Sequence, residues 1–348
     1  MNEKGFTIDF GSTEPNESTS APSTGTGASA PTHSKLMIFG SGPAGLTAAI
    51  YAARAQLAPL LLAGYEPGGQ LMLTSEVENF PGFPDGIDGP DLMAKMIAQA
   101  ERFGAVIVNQ DVDRVDFASR PFRAWSAGRE FTADAVIVAT GASAIWLGLE
   151  SETRLRGRGV SSCATCDGFF FKGEEVAVVG GGDTALEEAL FLTRFATTVH
   201  LIVRRDTFRA SKIMVARATA HEKIRIHLNR EVVEVIGETK TEALTLKDTR
   251  NGATERLAVG GLFVAIGHKP NTELLGGALP VDAAGYLTVK GHSSASAIDG
   301  VFIAGDVHDH RYRQAVTAAG DGCRAALDAE RWLAEHESAN AATAHATA

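Results

Sequence analysis

The chain has few cysteines and no excess of basic residues, and both shortages limit what it can be. Its three cysteines in 348 residues are too few for the disulfide framework of a secreted protein. Its 42 acidic residues outnumber 32 basic ones, whereas a nucleic-acid or anionic-membrane partner normally needs a concentrated basic face. The sequence also lacks an apolar run of membrane-spanning length. We therefore expect neither a nucleic-acid partner nor a membrane association.

The two ends of the chain are poor in large apolar side chains. Residues 1–34 are rich in Ser, Thr, Gly, Pro and Ala, which predicts a disordered N-terminal extension, and residues 336–348 similarly predict a flexible tail. The extension lacks the basic start and apolar stretch of a secretory signal, so we expect the protein to be cytoplasmic. The remaining body is longer than one hydrophobic core usually supports, and two domains are expected.

Two glycine-rich motifs predict two dinucleotide sites. GSGPAG (residues 40–45) follows the apolar strand LMIF, GGGDTA (residues 180–185) follows VAVV, and each motif opens a predicted helix. They fit G-x-G-x-x-G and G-x-G-x-x-A, in which the glycines allow a tight turn and a close approach of the backbone to a pyrophosphate. One such motif can arise by chance, but two in one chain are hard to dismiss. The assigned residues are Gly40, Gly42, Gly45, Gly180, Gly182 and Ala185.

Arginines follow the second motif at the distance where dinucleotide sites recognise the adenosine ribose. Arg204 and Arg205 lie about 20 residues past the motif, and Arg209 follows them. An NAD site carries an acid there for the ribose hydroxyls, whereas an NADP site carries arginine for the 2′-phosphate. Asp206 could compete as the ribose-binding acid, but both arginines precede it. The second site is therefore predicted to bind NADPH.

The first dinucleotide site draws on both ends of the chain. Glu66 is the only acid near the first motif, and far downstream the strand VFIA ends at Gly305 and Asp306, before a helix predicted from about Gln314. An aspartate at such a strand end suits a cofactor's polyol chain. The predicted fold class is α/β, with two Rossmann-like dinucleotide-binding domains, the second inserted into the first. The predicted boundaries are residues 35–145 and 271–335 for the first domain and 146–270 for the second.

Cys163 and Cys166 form a C-x-x-C pair, a spacing that suits a metal half-site and a redox dithiol about equally. A zinc site would need further ligands, such as His308 and His310. These histidines, however, lie in the segment after Gly305 and Asp306 that is assigned to the first dinucleotide site. An inert buried pair would not explain why the cysteines begin the second nucleotide unit. We favour a redox pair and no metal, with Asp167 as either a proton donor or a turn residue.

The motifs together resemble a known family. GSGPAG, EPGGQL, EVENFPGFP, ATGAS, CATCDG, RRDTFRAS, FVAIGHKPN and GVFIAGDVHDHRYRQAVTAAGDGC occur in the order and spacing of bacterial low-molecular-weight thioredoxin reductases, from residue 35 to about 333. The resemblance implies that electrons pass from NADPH through FAD and the Cys163–Cys166 disulfide to the disulfide of thioredoxin. It also implies a homodimer, with Cys166 facing the flavin and Cys163 attacking thioredoxin.

The resemblance further implies which residues hold the cofactors. By this resemblance, NADPH is expected to lie on the second motif and its arginines, although Val203 stands where the family commonly has a histidine before Arg204. The inserted domain is expected to rotate about its two crossings, near residues 141–147 and 267–272, so that the nicotinamide and the cysteine pair alternate at the flavin. Besides the first motif, the implied FAD residues are Ala63, Gly64, Glu66, Gly69, Gln70, Asn79, Gly305, Asp306, Arg313, Gln314 and Ala315.

Two other functions remain open at this point. A flavoprotein disulfide reductase could serve another thiol partner, such as a peroxidase component or a glutaredoxin-like protein. A nucleotide-binding redox sensor would use the same motifs but turn over slowly. The residues alone do not separate these functions from thioredoxin reduction.

Overall fold

The computed structural model describes residues 31–64, 67–74 and 76–347, with side chains as far as residue 338. Glu66 and nearly all of the predicted N-terminal extension lie outside the described residues. The helices in chain order are α1 (Pro43–Arg54), α2 (Gly89–Arg102), α3 (Glu150–Arg154), α4 (Ala164–Asp167), α5 (Asp183–Leu192), α6 (Lys212–Ala220) and α7 (Ala315–Thr347).

The strands fall into four sheets within the described residues. In chain order they are β1 (His33–Phe39), β2 (Leu60–Leu62), β3 (Val106–Val108), β4 (Arg114–Asp116), β5 (Phe122–Ser126), β6 (Arg129–Val138), β7 (Ala142–Ala144), β8 (Val160–Ser161), β9 (Glu175–Val179), β10 (Thr198–Val203), β11 (Ile224–Leu228), β12 (Arg230–Ile236), β13 (Ala243–Asp248), β14 (Thr254–Ala258), β15 (Gly261–Val264), β16 (His268–Pro270) and β17 (Val301–Ile303).

The first sheet is built from strands that precede the inserted segment and one strand, β17, that follows it. Its order is β3-β2-β1-β6-β5-β4, and β17 pairs with β6 in parallel, with Val301 opposite Val136. Strands β3, β2, β1 and β6 are also parallel, whereas β4 and β5 join as an antiparallel hairpin. This sheet is complete only when the chain returns to it after the inserted segment.

The second sheet lies wholly within the inserted segment. Its order is β11-β10-β9-β15-β8, and every pairing is parallel. The antiparallel sheet β12-β13-β14 packs beside it, since their side chains share one buried cluster. Both large sheets carry a glycine-rich turn and a helix after an interior parallel strand, so the predicted α/β fold with two Rossmann-like domains, one inserted in the other, is confirmed.

The two crossings between the sheets are paired with each other. Strands β7 and β16 are antiparallel, with Ser143 opposite Lys269. Next to them, the Thr140 hydroxyl donates to the backbone oxygen of Asn271 at 2.7 Å, and the Asn271 amide donates back to Thr140 at 2.9 Å. The inserted segment is therefore attached through one short two-stranded ribbon.

Small side chains let the helices of the first unit approach closely. The buried residues of α1 are mostly alanines, and they share a core cluster with Leu36 of β1 and Ala325 of α7. A Cβ on Gly322 of α7 would overlap the backbone oxygen of Ala44, so the two helices touch through their backbones. In the second unit, Val176, Leu201 and Phe263 belong to a separate core.

Helix α7 is longer than the sequence predicts. Residues 336–347, whose composition predicts a flexible tail, continue this helix. Alanine, the best helix former, is frequent in this stretch and explains its helical backbone. Among the described residues, no helix is both long and apolar enough to cross a membrane.

The core of the inserted unit generates a stability prediction. Leu201 is fully buried on the interior strand β10, whereas Ile213 on α6 is 69% exposed. Leu201→Ala should lower the free energy of unfolding by about 2–5 kcal/mol, because it removes buried contacts and leaves a cavity. Ile213→Ala should change it by no more than about 0.5 kcal/mol. Urea unfolding of both variants measures this; equal losses would contradict the assigned core.

Candidate functional site

A cavity of about 870 Å³ opens beside the first glycine-rich motif. It lies where β1 and β17 end, and the carboxyl ends of parallel strands are the usual ligand site of such sheets. Residues from both ends of the chain and from the inserted segment line it together. The predicted site residues among them are Gly40, Gly42, Ala63, Gly64, Gly69, Gln70, Asn79, Cys163, Cys166, Asp167, Asp306, Arg313, Gln314 and Ala315.

The glycines of the first motif serve different purposes. Gly40 has φ +99°, and a Cβ there would overlap the backbone oxygen of Ala139; a Cβ on Gly45 would overlap the oxygen of Gly40. These two glycines are required by the fold itself. A Cβ on Gly42, by contrast, would meet nothing within 4 Å. Since Gly42 lines the cavity, this open space fits the pyrophosphate of a dinucleotide at the N-terminus of α1.

In the second motif, too, one glycine is required by close packing and another borders open space. A Cβ on Gly180 would overlap the backbone oxygen of Ala265 and crowd Ala185, whereas a Cβ on Gly182 would meet nothing within 4 Å. The backbone N–H of Arg209 donates to the oxygen of Gly181 at 2.7 Å, which holds the arginine loop against the motif. Arg204 and Arg205 are exposed directly after β10, the neighbour of β9. The motif and these arginines could together hold a 2′-phosphorylated dinucleotide.

Cys163 and Cys166 are joined by a disulfide at the start of α4. The backbone N–H of Cys163 donates to the Ser161 hydroxyl at 3.0 Å, and the N–H of Asp167 donates to the oxygen of Cys163 at 3.1 Å. Of the two histidines considered as metal ligands, His308 pairs with Asp321 and His310 packs on Tyr286. In the described part of the chain, no group of three or more His, Cys, Asp and Glu could hold a metal ion. The cysteines therefore form a disulfide that faces the cavity.

The C-terminal segment touches the disulfide turn directly. The Gln314 amide donates to the Thr165 hydroxyl at 3.2 Å, and its nitrogen lies 3.9 Å from Sγ of Cys163. Asn79 in turn donates to the Gln314 side-chain oxygen at 3.5 Å. Gln314 and Asn79, assigned to the cofactor from the sequence, therefore also contact each other and the disulfide turn. No role for Thr165 is predicted from the sequence, although its place between the two cysteines is a signal that could have identified it.

Comparison with known proteins places the chain in a family. Residues 34–322 match the pyridine nucleotide-disulphide oxidoreductases. The chain belongs to this family. It is 54% identical over 309 residues to the thioredoxin reductase of Vibrio cholerae, covering 86% of this chain and 97% of that one. The bifunctional thioredoxin reductase/thioredoxin of Mycobacterium leprae is 53% identical over 309 residues, covering 88% of this chain and 67% of that one.

A solved structure agrees with these relatives. The fold matches the thioredoxin reductase from Giardia duodenalis with a TM-score of 0.84 at 45% identity, covering 87% of this chain and all of that one. The family match, over residues 34–322, includes the strands of both large sheets and the Cys163–Cys166 disulfide.

Two partly buried carboxyl groups of this oxidoreductase fold line the cavity and have perturbed pKa values. Burial raises the pKa of Asp306 to about 7, although the charge of Arg313 opposes the shift, and its Oδ1 is buried without a hydrogen-bond partner. Burial also raises the pKa of Asp167, against a hydrogen bond from Ser161. The unpartnered oxygen of Asp306 fits a hydroxyl donor such as the polyol chain of FAD.

Two further titratable groups were missed from the sequence. Burial raises the pKa of Glu188 on α5 to about 7, and its Oε2 has no partner. Burial lowers the pKa of His268 to about 4, and the charge of Arg313 adds to that shift. Glu188 lies three residues after the buried Ala185 and thus on the inward face of α5, a spacing that could have identified it.

Asp306 generates a pH prediction for the FAD-free protein. Because its pKa rises from 3.8 to about 7 on folding, the protonated carboxyl favours the folded state. The resulting stability is complete below the unfolded pKa and is lost as the pH rises through about 7. The thermal midpoint of the wild type should therefore fall more between about pH 5 and about pH 8 than that of Asp306→Asn.

The matched control is Asp85→Asn, at an exposed aspartate. It should retain the pH profile of the wild type. Glu188 also has a raised pKa, but it contributes equally to the pH dependence of the wild type and of each variant, so its effect cancels in the comparison. A profile for Asp306→Asn as steep as that of the wild type would show that burial does not hold a proton on Asp306.

Proposed function

We propose that the protein is an NADPH-dependent thioredoxin reductase. The observation that carries this proposal is the Cys163–Cys166 disulfide lining the same cavity as the first dinucleotide motif. A second motif followed by exposed arginines lies in the inserted segment. The curated relatives described above are named thioredoxin reductases, and one of them is a fusion with thioredoxin itself. That fusion supports thioredoxin as the partner.

The cofactors divide between the two units. Gly42 would hold the pyrophosphate of FAD and Asp306 its polyol chain. Glu66, which the sequence assigns to the same cofactor, lies outside the described residues. When bound, FAD accepts a hydride from NADPH and supplies two electrons to a disulfide. The second motif would hold NADPH, with Arg204, Arg205 and Arg209 placed to receive its 2′-phosphate. Residues 146–270 form the NADPH-binding domain, and residues 35–145 and 271–335 form the FAD-binding domain.

The disulfide turn carries the thiol chemistry. Cys166 faces the flavin side and Cys163 attacks the disulfide of thioredoxin. Asp167 follows Cys166 directly, and burial raises its pKa, so it retains a proton closer to neutral pH than an exposed aspartate does. That proton is available to a departing thiolate.

Exchange with a protein partner requires the disulfide turn to leave the cavity. The bonds of Gln314 to Thr165 hold the turn against the first unit, and the ribbon β7–β16 is the attachment about which the inserted domain rotates. Rotation would expose the dithiol and would bring the NADPH-binding motif toward the cavity in place of the disulfide turn.

The protein acts as a cytoplasmic homodimer. Exposed apolar side chains on α1 and α7 support self-association: Tyr51 is 44% exposed, and Val316 and Leu327 lie on one face of α7 at a spacing of 11 residues, about three turns.

The test of the function is steady-state oxidation of NADPH with thioredoxin as the final acceptor. We expect turnover that depends on both thioredoxin and bound FAD. A glutaredoxin-like protein and a peroxidase component serve as alternative acceptors in parallel reactions. Turnover with one of these but not with thioredoxin would overturn the assigned partner, and a single turnover without steady state would indicate a redox sensor.

The two sulfurs should behave differently when each is replaced. Cys166→Ser leaves Cys163 free to capture thioredoxin in a mixed disulfide that persists, because no resolving thiol remains. Cys163→Ser leaves the Cys166 thiolate beside oxidised flavin, where it should perturb the long-wavelength flavin absorbance. Non-reducing electrophoresis and absorbance spectra measure the two effects.

Both cysteine variants should retain FAD and lose thioredoxin reduction. Cys323→Ser is the control, and it should retain turnover because that cysteine lies outside the disulfide. Exchange of the two phenotypes between the variants would reverse the assigned roles. Full turnover by either variant would exclude the pair from electron transfer.

The arginines after β10 should determine the choice of nucleotide. Each charge-assisted bond to the 2′-phosphate contributes roughly 1.5–3 kcal/mol. Replacing Arg204 and Arg205 together by Gln should therefore raise the KM for NADPH far more than the KM for NADH. Arg256→Gln, at an exposed arginine on β14, is the matched control and should change neither value. Equal increases for both nucleotides would contradict phosphate recognition.

A further inference from the structure

The turn that carries Asp306 is short and packs closely against the first motif. Residues Gly305–Val307 form a single 3₁₀ turn between β17 and α7. Gly305 has φ +77°, and a Cβ there would lie 2.8 Å from Cβ of Ala44 on α1. The position of this turn therefore decides where the unpartnered oxygen of Asp306 points.

One carboxylate on α7 holds both ends of this turn. Oδ2 of Asp321 accepts the backbone N–H of Gly305 at 3.2 Å and lies 2.9 Å from Nε2 of His308. Its other oxygen, Oδ1, is bonded by Arg324. Of the two residues bound by Oδ2, Gly305 immediately precedes Asp306, and His308 follows Asp306 by two residues.

Asp321 is itself held firmly in place. It is 7% exposed, and the next residue, Gly322, is the point where α7 touches the backbone of Ala44. Burial alone would raise the pKa of Asp321, but hydrogen bonds from His308 and Arg324 and their charges outweigh it and lower the pKa. The carboxylate thus remains ionised, and an ionised acceptor makes the stronger bond to the Gly305 N–H.

We propose that Asp321, with His308 as its partner, is a positioning residue for the flavin cofactor: it fixes the Gly305–Val307 turn so that Asp306 faces the polyol chain. The inference rests on the proposed function, because it takes FAD as the occupant of the cavity. Asp321 lines no part of that cavity, so it acts on the cofactor through the turn and through its charge near Asp306 rather than by contact.

The same helix offers a matched control. Asp328 lies two turns further along α7, and its Oδ2 accepts the backbone N–H of Ser294 at 3.0 Å and the hydroxyls of Ser294 and Ser293 at 2.7 and 3.1 Å. It thus tethers a loop to α7 through the same kind of bond as Asp321. Neither serine lines the cavity.

The experiment measures FAD binding to protein stripped of its flavin. The variants are Asp321→Ala, Asp321→Asn, His308→Phe and the control Asp328→Ala. The readouts are the FAD dissociation constant from quenching of flavin fluorescence, the visible circular dichroism of the bound flavin, and the thermal midpoint of each FAD-free variant. The thermal midpoint separates a loss of stability from a loss of cofactor positioning.

Asp321→Ala should raise the FAD dissociation constant on the order of ten-fold and change the flavin dichroism, because the Gly305 N–H loses its acceptor. Asp321→Asn retains an acceptor oxygen without the charge, so its increase should be smaller. His308→Phe keeps a planar ring without a donor and should also have a smaller effect. Asp328→Ala should lower the thermal midpoint without changing the FAD dissociation constant or the dichroism.

Two results would overturn the inference while the proposed function stands. One is wild-type FAD affinity in Asp321→Ala; the other is an equal loss of affinity in Asp328→Ala, which would indicate general instability. If Asp321→Ala fails to fold, Asp321→Asn carries the test, and unchanged affinity and dichroism in that variant would overturn it as well. A wild-type protein that binds no FAD would overturn the proposed function, and this inference with it.

Discussion

The pairing of β17 with β6 is the constraint on which the rest of the structure depends. A parallel strand gains its hydrogen bonds only from a neighbour already in the sheet, so the first unit cannot be completed until the chain has passed through the inserted segment and returned. The return brings α7 onto α1, where the backbones touch at Gly322 and Ala44. The cavity exists because of that closure, since its walls come from both ends of the chain.

The same closure explains the unusual charges around the cavity. Asp306 and His268 line the cavity, and Glu188 lies outside its lining on α5. The three come from distant stretches of sequence, and all interact with the charge of Arg313. Burial keeps protons on the carboxyl groups up to about pH 7 and removes the proton from the imidazole. Carboxyl groups with pKa values near 7 can donate and accept protons at neutral pH, as a site that transfers protons with electrons requires. No single segment of the chain could provide the burial that shifts them.

The position of the disulfide follows from a second constraint, the two-stranded ribbon between the units. Because β7 and β16 pair with each other, the inserted unit has one narrow attachment, and its disulfide turn contacts the first unit through Gln314 and Thr165. Few bonds hold the turn there. An attachment of this kind suits a disulfide that must meet both a flavin and a protein partner.

The sequence by itself determined the local features. Strand, glycine turn and helix are adjacent in the chain, so both motifs, the arginines after β10 and the C-x-x-C pair could be predicted, together with the insertion of one unit in the other. The contacts of Gln314 with Thr165, the burial of Glu188 and His268, and the hold of Asp321 on the Gly305 turn were decided only by the tertiary structure. Each joins residues far apart in sequence, or depends on how deeply a side chain is buried, and periodicity and spacing report only on near neighbours along the chain.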